Sequence, residues 1–425
     1  MSAWHAANCS IGGRMLHLRR FPRPMQDKRA EQHWVRWASI VRSGRAVLRA
    51  LSRPLVLPAL ITVIGVGGGS AFAAEKGPAR GPTPDYLFND SHFHLTNYVQ
   101  KGTDIHRYLE IMGDKVGRST LFGIPLQQQW SYGNSGDFAP TYYLQSDAPL
   151  YYYSFTDAYI ARAYQSLPKD QQARLDPMIT GFNPSDMYAV DHIRRVLELF
   201  PGVFSGIGEF SIHKEFVSSK VAGETASLTN PALDRIFDFA AEVGLAIIIH
   251  NDIDMPFAKA GTEPVYLNQM KELLRRHPNA TIIWAHLGLG RIVRPTQPQA
   301  TEDGTERSPA YREIVEAMLA DPTLRHVYFD ISWDEVAKYA VASDEATKRI
   351  AEVFNAHPER FLFGTDNVAP ADQATQLRVY NMWAPVWARL TPEASRMIRK
   401  SNYERIFDAA RVKVRAWEKA NVRPM

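Results

Sequence analysis

Cysteine is all but missing: the one thiol is Cys9, inside a stretch that reads as a leader. A body without cysteine excludes thiolate metal sites, cysteine nucleophiles and disulfide scaffolds, and it suits an oxidising compartment. A membrane-length hydrophobic run is lacking as well, because the apolar stretch "LVLPALITVIGVGGG" is too short and too rich in glycine to span comfortably. Charge of one sign is the third absence. The 425 residues carry a formal net charge of +4 and a sequence pI near 8.9, but the first 73 hold 11 Lys and Arg against 2 Asp and Glu. The remainder has 38 against 43, so the body is slightly acidic and nucleic acid is not an expected partner.

What is present at the start has the order of an export signal. The cationic "RSGRAVLRALSRP" precedes the apolar run, and "SAFAAEKG" offers Ala71-Phe72-Ala73 as a small-x-small cleavage site before Ala74. The expectation is an export leader over 1–73, a short linker over 74–84 and one catalytic domain over 85–425. The product is then exported, to the periplasm, with no stable membrane insertion after cleavage; a retained anchor is the alternative. Arg19-Arg20 lies too far from the apolar run to serve as a twin-arginine signal.

At 45% hydrophobic and 22% charged residues the chain can bury a large core. From Pro84 onward a short apolar strand, a polar loop and an amphipathic helix recur. The strand candidates are "DYLFNDSHFHL", "STLFGIPL", "LDPMITGF", "FSGIGEF", "LAIIIHND", "TIIWAHLG", "HVYFDISW" and "RFLFGTDN". Among the helices, "NPALDRIFDFAAEVG" carries its own punctuation: Asn230 as cap, Pro231 in the first turn, Gly244 as stop. Continuous apolar runs separated by helices suit parallel strands covered on both faces. Two architectures fit, a closed (β/α)8 TIM barrel and an open doubly wound sheet.

Polar residues at strand ends separate the two. His92 and His94 close the first candidate, Glu209 the fourth, His250 the fifth, His286 the sixth and Asp366 the eighth. The spacings from Glu209 onward, 41, 36 and 80 residues, are one, one and two barrel units of roughly 31 residues. A barrel gathers these ends at one mouth, whereas an open sheet spreads them along an edge. Side chains alternate along a strand, so His92 and His94 point inward together, while Ser91 and Phe93 point towards the helices. Two imidazoles on one face can chelate one ion, and so many polar groups converging on a barrel mouth need a cation among them. His92, His94, Glu209, His250, His286 and Asp366 are the expected metal ligands.

"DSHFH", "GIGEF", "IIIHND", "WAHLGLG" and "FGTDN", with the tail "KSNYERIFD", resemble the amidohydrolase superfamily, in its amidohydrolase-related branch, from about Asp85 to Asp408. Glu209 stands where many members have a carboxylated lysine, as in the branch resembling TatD-type hydrolases. Nitrogen and oxygen ligands without sulfur suit Zn²⁺, with Mn²⁺ tolerated, one or two per chain. The resemblance implies that bound metal activates water and polarises the scissile carbonyl, that Asp366 is the general base, and that His286 holds a second metal or polarises the substrate directly. The expected activity is hydrolysis of a C–O or C–N bond (ester, lactone or amide) in a small carbonyl compound. Nonoxidative decarboxylation of an aromatic or unsaturated acid is the alternative, since that branch contains both. A catalytically silent binding protein is the third reading, opposed by the presence of Asp366 and His286 together. Homo-oligomerisation stays open.

Other residues draw expectations of smaller weight. Asp90 is expected to brace the first strand rather than bind metal. The aromatic-rich insertion "LQQQWSYGNSGDFAPTYYLQSDAPLYYYSF" between strands two and three is long enough for a lid. Arg291 and Arg294 could clamp a substrate carboxylate. His213, His277, His326 and His357 are off the strand-end pattern and are expected to be structural.

Overall fold

The computed structural model describes residues 85–96, 102–124, 155–214, 227–255, 263–290 and 311–423, with short strand pieces between 217 and 225 and at 299–300 and 307–308. The expected leader and linker, Arg291, Arg294 and the aromatic-rich insertion up to residue 154 lie outside them.

Eight parallel strands pair in chain order: β1 (Phe88–Asp90), β2 (Val116–Leu121), β3 (Leu175–Ile179), β4 (Gly206–Ser211), β5 (Ala246–His250), β6 (Thr281–Trp284), β7 (Val327–Asp330) and β8 (Phe361–Leu362). The ring closes between the last and the first. Ser91 N–H donates to the Phe363 carbonyl at 3.0 Å and Asp366 N–H to that of His92 at 2.8 Å, and just beyond them Asn367 and Val368 pair in parallel with Phe93 and His94. The chain is a (β/α)8 barrel. Helices between or after the strands include α1 (Ile105–Met112), α2 (Phe155–Gln165), α3 (Ala189–Leu199), α4 (Pro231–Val243), α5 (Leu267–Arg276), α6 (Tyr311–Ala320), α7 (Asp334–Ala340), α8 (Asp344–Ala356), α9 (Gln373–Met382) and the C-terminal α10 (Asn402–Asn421). Among the described residues no helix is long and apolar enough to cross a membrane.

Strand parity sets which side chains reach the mouth. In β5, Ile247 and Ile249 join the cluster packed against the helices, while Ala246 and Ile248 join the one inside the barrel with Met178, Ile283 and Leu362. His250, two residues on, follows them inward at the C-terminal end. In β1's extension Phe93 turns outward and stacks on Tyr108 of α1 at 3.7 Å, leaving the rings of His92 and His94 side by side at 5.4 Å. Ser91 departs from the expectation: its hydroxyl bonds the neighbouring strand's Phe363 carbonyl at 3.0 Å rather than facing a helix. The opposite end of the barrel is plugged by Tyr403, Ile406 and Phe407 of α10.

Candidate metal centre

His92, Glu209, His286 and Asp366 bring four ligand atoms within 4.8 Å of one another. His94 and His250 join through the carboxylates. His94 Nε2 lies 3.1 Å from Asp366 Oδ1 and 3.5 Å from Glu209 Oε2, and His250 Nδ1 lies 2.7 Å from Glu209 Oε1. All six residues singled out in the sequence thus meet at one mouth.

The far side of each ring reveals what the near side needs. His92 Nδ1 is bonded to Asp330 Oδ2 at 2.7 Å, and His94 Nδ1 to the Gly123 carbonyl at 2.9 Å. His286 Nδ1 is bonded to Ser332 Oγ at 2.8 Å, a hydroxyl that itself donates to Asp330 Oδ1. An acceptor on the far side requires each Nδ1 to carry hydrogen, so in the neutral rings each Nε2 presents a lone pair. Those lone pairs face carboxylate oxygens. His92 Nε2 is 3.3 Å from Asp366 and 3.6 Å from Glu209, and is buried with no hydrogen-bond partner among the described residues; His286 Nε2 is 3.3 Å from Glu209. Electron pairs turned on electron pairs in a buried site call for a cation between them, and an all nitrogen and oxygen donor set suits a divalent transition ion.

The electrostatics carry the same demand. Burial would push the His92 imidazolium down, yet Asp330, Asp366 and Glu209 hold it well above the ordinary histidine value. Burial would push both carboxyls up, yet Lys214 and the surrounding imidazoles hold Glu209 well below, and His92, His94 and His286 hold Asp366 well below. Without an ion, protons supply the missing positive charge; metal and protons therefore compete for the mouth. The carboxylates differ in access: 10% of the Asp366 side chain is exposed against 1% for Glu209.

Backbone and packing fix these positions. His286 sits at φ 57° in the tight turn after β6, and Asp366 at φ 55° after β8, conformations costly for non-glycine residues and typical of functional sites. Gly364 is required by close approach, since a Cβ there would lie 2.6 Å from His92 Cβ. Asp90 braces the same corner, accepting from Thr365 N–H and Oγ1 at 2.8 and 2.7 Å, Gln376 of α9 at 2.7 Å and His92 N–H at 3.2 Å. Burial raises its carboxyl to about 6.

Three side-chain partners were missed in the sequence: Asp330, Ser332 and Asp252, whose Oδ1 lies 3.0 Å from His250 Nε2. Asp330 orients His92 and also accepts from the His286 N–H at 3.0 Å. Its position at the end of β7 was the available signal, the same strand-end rule that found the ligands. Of the remaining histidines, His277 is held between Asp234 and Asp238 at 2.8 and 2.9 Å, and His326 bonds the Leu274 carbonyl. His213 stacks on Tyr266 at 3.8 Å, and His357 closes the end of α8.

The amidohydrolase family model matches residues 90–409. This chain belongs to the amidohydrolase family. Among solved structures, this amidohydrolase is similar to a "probable 2-pyrone-4,6-dicarboxylic acid hydrolase" from Acinetobacter baumannii, at 11% identity over 76% of this chain and 99% of that one, TM-score 0.44. It is also similar to 2,6-dihydroxybenzoate decarboxylase from Rhizobium, at 12% identity over 76% and 99%, TM-score 0.41, and to dihydroorotase from Campylobacter jejuni, at 12% over 76% and 83%, TM-score 0.39. At these values nothing about substrate carries over. No curated protein matches this amidohydrolase in sequence. Family membership makes it an enzyme, of a family that typically binds a divalent metal, and the His92, Glu209, His286 and Asp366 cluster could hold such an ion.

Proposed function

We propose that this enzyme hydrolyses a C–O or C–N bond (ester, lactone or amide) of a small carbonyl compound, with a divalent ion, zinc by preference, held by His92, Glu209, His286 and Asp366 and supported by His94 and His250. The observation that carries the reading is the set of three imidazoles whose Nδ1 atoms are tied back and whose Nε2 lone pairs face two carboxylates. When bound, the metal supplies Lewis acidity, lowering the pKa of water and polarising a carbonyl. The residues do the rest. Asp330, Gly123 and Ser332 hold the rings so that no reorientation accompanies reaction. Asp366, the more open carboxylate, faces arriving water and substrate and is kept ionised by its imidazole neighbours, so it takes the water proton and returns it to the leaving oxygen or nitrogen. Glu209, buried beneath, keeps the imidazoles of His250 and His286 in place.

Reaction of candidate esters, lactones and amides in ¹⁸O-water tests this reading: label should enter the acid product. Release of CO2 without label uptake from a carboxylic acid substrate would replace hydrolysis by decarboxylation.

We propose further that the protein is exported and matures by cleavage after Ala73, on the strength of the cationic stretch, the apolar run and the Ala71-Phe72-Ala73 site. N-terminal sequencing of the mature product should begin at Ala74 or within a few residues of it; an intact apolar run would make the segment an anchor.

A further inference from the structure

The first turn of α2 (Phe155–Gln165) is pinned at the mouth on two sides. Thr156 is buried, with its hydroxyl 3.1 Å from that of Thr96, two residues beyond His94. It also fills the room left by Gly123, where a Cβ would lie 2.0 Å from Thr156 Oγ1 and 2.8 Å from its Cβ and Cγ2. Gly123 keeps its φ outside the left-handed region, so glycine is needed there for space alone. The carbonyl of Gly123 is the acceptor that ties down His94 Nδ1 at 2.9 Å. Next in the turn, the buried Asp157 carboxylate accepts from the Thr180 and Gly181 N–H groups after β3 at 2.8 and 2.9 Å. The Thr180 hydroxyl in turn donates to the carbonyl of Gly208, the neighbour of Glu209, at 3.0 Å.

We infer that Thr156 is a positioning residue of the metal centre: wedged against Gly123 and Thr96, it sets the Gly123 carbonyl and with it the ring of His94. From the same turn Asp157 steadies the backbone that leads into Glu209. The inference rests on the metal reading of this mouth and adds to it a support that comes from a helix rather than from the strands. A β-branched side chain has few rotamers, and a buried one whose hydroxyl is bonded has little freedom left, so Thr156 is a stiff wedge. An imidazole held through Nδ1 turns with its acceptor, and its Nε2, 3.1 Å from Asp366 Oδ1, moves with it. A shift of the Gly123 peptide therefore reaches the place where the ion is held, although neither Gly123 nor Thr156 offers it a ligand atom.

The test uses the full chain loaded with Co²⁺, whose visible absorption reports ligand geometry, with affinity read by competition against a chelator. Gly123→Ala drives a Cβ into Thr156; it should lower Co²⁺ affinity by about 10- to 100-fold, the usual effect of disturbing a group behind a ligating histidine, and shift the absorption bands. Adding Thr156→Gly removes the atoms that this Cβ strikes, so the double variant should regain most of the lost affinity and the native bands, a non-additivity that marks direct contact. Thr156→Ala, which leaves the backbone room unchanged, should shift the bands on its own if Gly123→Ala fails to fold. Asn230→Ala, which weakens the cap of α4 away from the mouth, should leave them in place. Native bands in both Gly123→Ala and Thr156→Ala would overturn the inference. A double variant no better than Gly123→Ala, or an equal band shift in Asn230→Ala, would overturn it too. A native chain that takes up no Co²⁺ refutes the metal reading itself, whereas full uptake with unmoved bands refutes only the role of Thr156.

Discussion

His92 shows how much a single side chain decides. Its Nδ1 is committed to Asp330 and its Nε2 to the mouth, so Asp330→Asn should loosen the ring without unseating the fold. Metal affinity should then fall by about 10- to 100-fold, the usual effect of removing a carboxylate behind a ligating histidine, as read by competition with a chelator. Asp366→Asn separates chemistry from binding. Zinc content should stay near native while turnover on a hydrolysed substrate falls by at least about a hundredfold, general base assistance being worth about 10² to 10⁴. A variant that keeps both metal and turnover would show that the proton travels by another group. These two residues also mark the limit of what the sequence discloses. Both stand at strand ends, and an aspartate there reads alike whether it faces the mouth or supports a histidine from behind. Only the ring orientation of His92, a three-dimensional fact, tells them apart.

At the scale of elements, the local rules were mostly readable. The cap of α4 forms as its letters imply: the Asn230 side chain accepts from Ala232 N–H, Pro231 fills the first turn and Gly244 ends the helix at φ 85°. Asn230→Ala should cost about 1 kcal/mol, measurable as a lower urea midpoint at unchanged slope. β2 was less legible. It starts at Val116, not Ser119; Gly117 and the charged Arg118 interrupt the apolar run that marks a strand in the sequence, yet Arg118 belongs to a buried ionic group beneath the barrel, donating to Asp176 of β3 at 2.8 Å. The fit of Thr156 from α2 into the room left by Gly123 after β2 had no local signature at all, since the two meet only once the helix has packed against the barrel.

For the molecule as a whole, closure and the C-terminal plug matter most. Asp176 ties its own strand β3 to two other elements, to β2 through Arg118 and to α10 through Tyr403 and Arg411. Removing one member of a buried ionic group leaves the others uncompensated, so Asp176→Ala should destabilise by about 3 to 5 kcal/mol, read by denaturant unfolding. Burial pushes the Asp176 carboxyl up, but Arg118, Arg411 and Tyr403 outweigh it and hold it below the ordinary value of 3.8. The stability it adds is therefore complete above about pH 4 and lost as pH falls through the lowered folded value. In Asp176→Ala that acid-side loss should shrink. The barrel itself was legible from spacing, because strand ends one and two units apart can converge only if the sheet closes. The plug was not, since nothing in the amphipathic pattern of α10 says which end of the barrel it covers.

A divalent ion held by His92, Glu209, His286 and Asp366, with His94 and His250 beside them, underlies everything proposed for this mouth. Anomalous diffraction at the zinc edge, on crystals of the zinc-loaded chain, tests it directly. A peak should lie among His92 Nε2, His286 Nε2, Glu209 and Asp366, at about 2.0 to 2.2 Å from its ligands, and should vanish in His92→Ala. The absence of a peak there with zinc in excess, or a peak elsewhere on the molecule alone, would contradict the account.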